Sequence, residues 1–156
     1  LGGMIYGGVL ERYPNLKAGF YESNAGWLPF WLARLDDHTE GRQGVFMAST
    51  EGKGVGNRGT KDSKDALGSK NSVSMKPSEY FRRQCFIACD ADEGTLSLVS
   101  EYMDGNNIIF NTDYPHPDAA FPGAVNDFLG QPISESHKEK ILWDNSVKLY
   151  GDTLVI

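Results

Sequence analysis

Short apolar runs separated by polar turns alternate with helical patterns along this chain. The runs over 17–21, 84–88 and 108–110 predict three strands. Helical spacing predicts helices over the ranges 9–13, 95–103, 122–130 and 134–151, the last with Ser134 as its N-terminal cap. This alternation of strands and helices predicts an α/β fold with parallel strands.

A further helix is predicted after Ser23 and Asn24. Four apolar residues there recur at spacings of three and four: Trp27, Phe30, Trp31 and Leu35. Pro29 suits the first turn of such a helix. We expect this aromatic stripe to face the core, as such stripes generally do.

The pattern changes over residues 41–75, where Gly, Ser, Lys, Asp and Asn dominate and no period persists. This composition predicts a flexible Gly/Ser/Lys-rich loop insertion within a single domain of residues 1–156. Within it, GKGVGNRG superficially resembles phosphate-binding loops. It follows no predicted strand and lacks the Gly-Lys-Ser/Thr ending, so a nucleotide-binding module is a weak alternative.

Composition and charge narrow the classes of molecule that this chain is expected to bind. The 156 residues are 40% hydrophobic and carry a formal net charge of -6, which indicates a globular chain and argues against nucleic acid or an anionic membrane surface as partner. No apolar stretch approaches the roughly 20 residues that span a bilayer. Cys85 and Cys89 lack disulfide or zinc-site spacing, which predicts free thiols in a reducing, cytoplasmic setting. A small or neutral molecule remains compatible with this composition as a ligand.

An acidic residue follows each predicted strand: Glu22, Asp90 and Asp113. In parallel α/β proteins, ligand sites lie outside the carboxyl ends of the strands. Three acids on one rim would hold a metal ion, polarise a water or act as general acid and base. They would equally serve as helix caps or turn residues, which is the interpretation we favour for Asp90.

The segment from Asp113 to Asp118 is denser in reactive groups than a turn requires. It combines two carboxylates, the phenol of Tyr114 and the imidazole of His116, which titrates near neutral pH. Two prolines restrict its backbone. We expect the other two histidines, His38 and His137, to be solvated surface residues.

Four blocks of this sequence resemble successive blocks of one family: GGVLERYPNLKAGFYESNAGWLPFWLARLDDH, KPSEYFRRQCFIACDADE, NIIFNTDYPHPD and KILWDNSVKLYG. It is the amidohydrolase-related family of metal-dependent hydrolases and non-oxidative decarboxylases, which includes enzymes of the aminocarboxymuconate-semialdehyde decarboxylase type. The resemblance covers residues 7–38 and 77–151. It implies the C-terminal part of a (β/α)8 TIM barrel, about three βα units that correspond to strands six to eight.

The resemblance also implies site residues. The family's eighth strand ends in Ser-Asp-Tyr-Pro-His, matched here from Thr112 to His116, so Asp113 inherits the role of metal ligand or proton carrier. Glu22 stands where the decarboxylases carry a catalytic histidine. We therefore expect Asp113, His116 and Glu22 as catalytic residues and Asp113 as a ligand of a divalent metal, zinc by expectation.

The resemblance implies an enzyme that hydrolyses or decarboxylates a small carboxylate or carbonyl compound. A homo-oligomer is compatible with this expectation. The alternative is a catalytically silent barrel that binds a ligand or a partner subunit, since Glu22 departs from the decarboxylase pattern. A complete barrel takes about 250 residues. We therefore expect the chain to be a fragment, inactive by itself, with the family's first- and fifth-strand histidines upstream of Leu1.

Overall fold

The computed structural model describes residues 1–50, 73–117 and 119–151, with residues 40–50 described by their backbone. Its elements follow in chain order: α1 (Gly2–Tyr6), α2 (Val9–Arg12), β1 (Ala18–Phe20), α3 (Leu28–Thr50), α4 (Pro77–Gln84), β2 (Cys85–Cys89), α5 (Leu96–Met103), β3 (Ile108–Phe110), α6 (Ala124–Leu129), α7 (Glu135–Glu139), a π-helical turn (Lys140–Asp144) and α8 (Asn145–Tyr150). The three predicted strands and the α/β class are confirmed.

The three strands form one parallel sheet in the order β1-β2-β3. Phe20 of β1 pairs with Ile87 of β2, and Ile87 pairs with Ile108 of β3, so these three residues lie side by side across the sheet. The central strand is buried along its whole length, as expected for an uninterrupted apolar run between two parallel neighbours. All three carboxyl ends consequently lie at one edge of the sheet.

The chain forms two compact units. Unit one consists of Leu1–Leu16 and Trp31–Tyr80. Within it, the Tyr6 hydroxyl donates to the backbone oxygen of Leu35 at 2.8 Å, and the Tyr80 hydroxyl donates to the Glu11 carboxylate. Ser78 donates through its backbone N–H and its hydroxyl to Asp36, at 2.9 and 2.6 Å. These bonds tie helices distant in sequence to one another.

Unit two consists of Lys17–Phe30 and Phe81–Ile156 and contains the sheet. Phe86, Ala88 and Ile109 form a buried cluster against which Leu149 of α8 packs. As the pattern predicts, α5 buries Leu96, Val99 and Met103. Ser134 caps α7 by accepting the His137 N–H at 3.3 Å, although the single helix predicted over 134–151 is divided by the π-helical turn.

The predicted inward stripe of α3 is confirmed for Leu35, which is buried, but not for Phe30 and Trp31, while Trp27 is half-buried and precedes the helix. Its inward stripe consists of Leu28, Leu32 and Leu35, which are fully or almost fully buried, whereas Phe30 is 70% exposed and Trp31 is 38% exposed. Both sets have helical spacing, so the period by itself does not select the buried face. The helix begins at Leu28, so Pro29 lies in its first turn, as predicted.

The predicted loop over 41–75 starts later than expected. Helix α3 continues to Thr50, because Arg42, Gln43, Met47 and Ala48 have good helical propensity despite the nearby glycines. Residues 51–72 of the predicted insertion, which include GKGVGNRG, lie outside the described residues, whereas residues 73–75 are described and lie outside helices and strands. Helix α4, which follows the insertion, is not predicted by the sequence analysis. The flexibility of the insertion stays a prediction.

Both cysteines are free, as predicted, and both are buried. Burial raises the pKa of Cys85 to about 12. Burial, together with the nearby Glu93 and Asp90, raises the pKa of Cys89 further still. Both thiols are therefore protonated at neutral pH, which argues against a nucleophilic thiolate. Among the described helices, none is long and apolar enough to cross a membrane.

His137 differs from the prediction, whereas His38 is exposed as expected. The His137 side chain is only 11% exposed and lies between Ser100 Oγ, 2.9 Å from Nδ1, and Asp104 Oδ1, 3.3 Å from Nε2. A Cβ on Gly105, which has φ +65°, would lie 2.9 Å from the ring. His137 thus fills the space beneath the turn that leads into β3.

Candidate metal centre

Three of the predicted site residues meet beyond the carboxyl ends of the strands. Each of Glu22, Asp113 and His116 offers one ligand atom, and these atoms all lie within 4.8 Å of one another. Glu22 follows β1 by two residues and Asp113 follows β3 by three. Their convergence follows from the parallel sheet, which places the ends of its strands together. In the described part of the chain, this group does not include Asp90.

The backbone around Asp113 holds its carboxylate against the imidazole of His116. Asp113 has φ +57°, and its N–H donates to Asn111 Oδ1 at 3.1 Å. Its carbonyl accepts the His116 N–H at 2.9 Å, and its Oδ2 lies 3.0 Å from His116 Nδ1. A non-glycine residue in the left-handed region persists only where its surroundings stabilise it, and such residues cluster at functional sites.

Glu22 lies in a segment whose conformation is equally constrained. Glu22 and Asn24 have φ +53° and +51°, both in the left-handed region. Immediately after them, the N–H groups of Ala25 and Gly26 donate to the carboxylate of Glu93, at 2.9 and 2.6 Å. A buried carboxylate that accepts two backbone N–H groups is a strong anchor. Glu93 therefore connects the segment after β1 to the segment after β2.

Glu93 is a residue that the sequence analysis did not single out. It is 7% exposed and also accepts the Thr95 hydroxyl at 3.0 Å. A side chain on Gly26 would collide with Thr95 Oγ1, which explains a glycine at that point. The acidic run Asp90-Ala91-Asp92-Glu93 is visible in the sequence. The backbone N–H groups that Glu93 binds, however, cannot be recognised from residue types in the sequence.

The donor set fits a divalent metal ion. Two carboxylates and one imidazole are oxygen and nitrogen donors of the kind that bind zinc and manganese. The side chains of Asp113 and His116 are 27% and 53% exposed, so an ion reaches them from solvent. Three protein ligands leave coordination positions for water or substrate, as catalytic metal sites do. A cation would also relieve the repulsion between Glu22 and Asp113.

Comparisons with known proteins point in one direction. The family model described as Amidohydrolase matches residues 4–151. The chain is 26% identical over 149 residues to 2-amino-3-carboxymuconate-6-semialdehyde decarboxylase of Dictyostelium discoideum. Its structure is similar to that of 5-carboxyvanillate decarboxylase from Sphingomonas paucimobilis, with a TM-score of 0.66 and 26% identity. It also shares the fold of a dihydroxybenzoic acid decarboxylase from Polaromonas sp. JS666, with a TM-score of 0.63 and 21% identity; that structure contains manganese and an inhibitor, 2-nitroresorcinol.

These relatives are longer than the chain. The match to the Dictyostelium enzyme covers 95% of this chain but 34% of the relative. The two decarboxylase structures are covered over 38% and 39% of their length, against 96% and 97% of this chain. The chain thus spans between about a third and two fifths of the length of these relatives.

Proposed function

The chain belongs to the amidohydrolase family, and from that premise we propose that the protein is a divalent-metal-dependent enzyme that decarboxylates a small aromatic or enoic acid. The observation that carries the proposal is the convergence of Glu22, Asp113 and His116 within 4.8 Å of one another. The named relatives, each described as a decarboxylase, support the reaction type.

Glu22, Asp113 and His116 would hold the ion. When bound, a divalent cation supplies positive charge that polarises a carboxylate, a carbonyl or a water molecule. Zinc and manganese both suit these donors. The relative that contains manganese supports testing that ion alongside zinc.

In decarboxylation, the bond between the carboxyl carbon and its neighbour breaks, its electron pair stays on the neighbour, and a proton takes the place of the released CO2. We assign the handling of that proton to the pair of Asp113 and His116, whose Oδ2 and Nδ1 lie 3.0 Å apart. A paired carboxylate and imidazole can hold and pass on one proton. Glu22 would contribute the second carboxylate that holds the ion.

Hydrolysis is the second candidate, because Glu22 stands where the family's decarboxylases carry a catalytic histidine. A carboxylate there would accept a proton from an attacking water, which is the task of a general base in hydrolysis. A silent barrel has no support in the named relatives, which are enzymes.

Metal analysis of the full-length protein tests the proposal. We expect about one divalent ion per polypeptide, loss of all turnover after chelation, and recovery with zinc or manganese but not with magnesium. A protein without bound metal whose activity survives chelation would contradict the proposal. Stoichiometric metal without any turnover would instead support the silent barrel.

The reaction type is tested with substrates of the relatives. The full-length protein is given 5-carboxyvanillate, a dihydroxybenzoate and 2-amino-3-carboxymuconate semialdehyde, and CO2 release is measured against loss of the acid. Decarboxylation yields one CO2 for each acid consumed. Turnover of amide or lactone analogues without CO2 would identify a hydrolase.

A further inference from the structure

A second region of unit two has the composition of a ligand site. An open cleft of about 460 Å³ is lined by four basic residues: Lys17, Arg82, Arg83 and Lys148. Lys17 directly precedes β1, and both arginines lie in the last turn of α4, just before β2. Because the strands are parallel, the cleft lies at the amino ends of the strands, opposite to Glu22 and Asp113.

The charge of the cleft contrasts with that of the chain. The sequence has a formal net charge of -6, yet no acidic residue of the described ranges lines the cleft. Within those same ranges, no carboxylate forms an ion pair with Lys17, Arg82 or Lys148. All four basic residues are exposed. Clustered cations with this arrangement attract and concentrate anions.

Two of the cations are held in place before any ligand arrives. Arg82 Nη2 donates to the backbone oxygen of Tyr102 at 3.1 Å, and its guanidinium carbon lies 5.3 Å from the centre of the Tyr102 ring. The ammonium of Lys17 donates to the backbone oxygen of Lys148. Arginine retains further N–H donors after such a bond. Restricting these long side chains beforehand lowers the entropic cost of binding.

The cleft wall also contains a buried acceptor without a donor. Asn145 lines the cleft and is fully buried. Its Nδ2 donates to the backbone oxygens of Gly105 and Ile108, at 2.8 and 2.7 Å, which fixes the orientation of the amide. Its Oδ1 has no hydrogen-bond partner in the described structure. Asn145 therefore contributes a fixed polar side chain to the wall of the cleft beside the cations.

We propose that this cleft binds a phosphate group, either as inorganic phosphate or as the phosphate of a small hydroxylated molecule. The four cations bind the charged oxygens of the phosphate. Arginine and lysine are the residues that proteins use for phosphate. The proposal does not rest on the reaction at the metal centre.

Calorimetric titration of the full-length protein with inorganic phosphate, at constant ionic strength in chloride, tests the site. We expect saturable binding with a dissociation constant of about 1 mM or lower. The Lys148→Gln substitution should weaken phosphate binding several-fold. The double variant, which combines Lys17→Gln with Lys148→Gln, should weaken it at least about 10-fold. Arg34→Gln removes one exposed positive charge of α3 outside the cleft and should leave the affinity unchanged. Equal affinities in the double variant and in the wild type would overturn the proposal.

Three further titrations complete the test. The Asp113→Asn variant should keep full affinity for phosphate. A loss of phosphate affinity in this variant would assign the phosphate to the metal centre and overturn the proposal. Sulfate, which carries two negative charges at neutral pH, should compete with phosphate for the four cations, and an absence of competition would overturn the proposal. If glycerol phosphate binds more tightly than inorganic phosphate, the ligand is a phosphorylated molecule. If inorganic phosphate binds more tightly, the ligand is the ion itself.

Discussion

The two ends of the parallel sheet carry opposite charge. Beyond the carboxyl ends, Glu22 and Asp113 lie with His116 on segments held in left-handed backbone conformations. At the amino ends, Lys17, Arg82 and Lys148 surround an open cleft. The first end is built from short side chains held by backbone geometry. The second is built from long cationic side chains, two of them held by hydrogen bonds.

This difference has a physical origin in the sheet itself. Parallel strands place every residue that follows a strand at one end and every residue that precedes a strand at the other. Acids after strands and bases before strands therefore accumulate into two separate sites. We expect perturbations at one end of the sheet to leave the site at the other end unchanged.

The largest effect is expected from Asp113→Asn in the full-length protein. The substitution keeps size and shape while removing the charge that binds a cation or accepts a proton. Turnover should fall about 100-fold or more. Steady-state kinetics measures the loss, and thermal unfolding shows that the fold is retained.

The competing explanation for Asp113 is that it only stabilises the turn before Pro115. Asparagine is also a good turn former, so activity and stability would then change little. Turnover within a few-fold of wild type would remove our assignment of the site. His116→Ala should cost less than Asp113→Asn, because a supporting residue contributes less than the central carboxylate.

A smaller effect is expected from Glu93→Gln. Glutamine keeps one acceptor oxygen but loses the charge and one of the two oxygens that the Ala25 and Gly26 N–H groups use. The segment that carries Glu22 then loses its anchor, and we expect turnover to fall about 10-fold. Because Glu93 acts as a positioning residue, the metal dissociation constant should rise in parallel.

The control for Glu93 is Asp92→Asn, which alters an exposed acid in the same run. It should leave both turnover and metal affinity unchanged. A Glu93→Gln variant that is merely less stable, with metal affinity unaltered, would show that the contact supports the fold and not the site. Phosphate affinity at the opposite end should be the same in both variants.

The smallest effect concerns pH at the amino end. Lys140, and to a lesser extent His137, lower the pKa of the exposed Asp104 below its usual value. A lowered pKa in the folded state means that this interaction stabilises the fold above the ordinary pKa of the group and is lost as pH falls through the lowered value. Lys140→Gln should therefore reduce the difference between the melting temperatures at pH 7 and pH 3. An unchanged difference would show that the contact is without effect on stability.

Local patterns were sufficient for much of the fold. The apolar runs correctly located all three strands, and the spacing of Leu96, Val99 and Met103 identified the buried face of α5. The pattern failed for Phe30 and Trp31 of α3, where the predicted stripe and the leucine set, which share Leu35, both fit a helical period. Burial of Leu28, Leu32 and Leu35, and exposure of Phe30, depends on what packs against the helix, and the local sequence does not contain that information.

The sequence by itself determined the candidate groups for chemistry: an acid after each strand, the dense Asp113–His116 segment and the resemblance of the blocks around them. Only the tertiary structure decided which of these groups meet, since Glu22 joins Asp113 and His116 while Asp90 stays outside their group. It also identified Glu93, whose partners are backbone N–H groups, and the cleft around Asn145, whose lining residues are scattered from Lys17 to Lys148. The physical reason is the same in each case. Side-chain identity is local, whereas proximity across a parallel sheet is set by the pairing of strands distant in sequence.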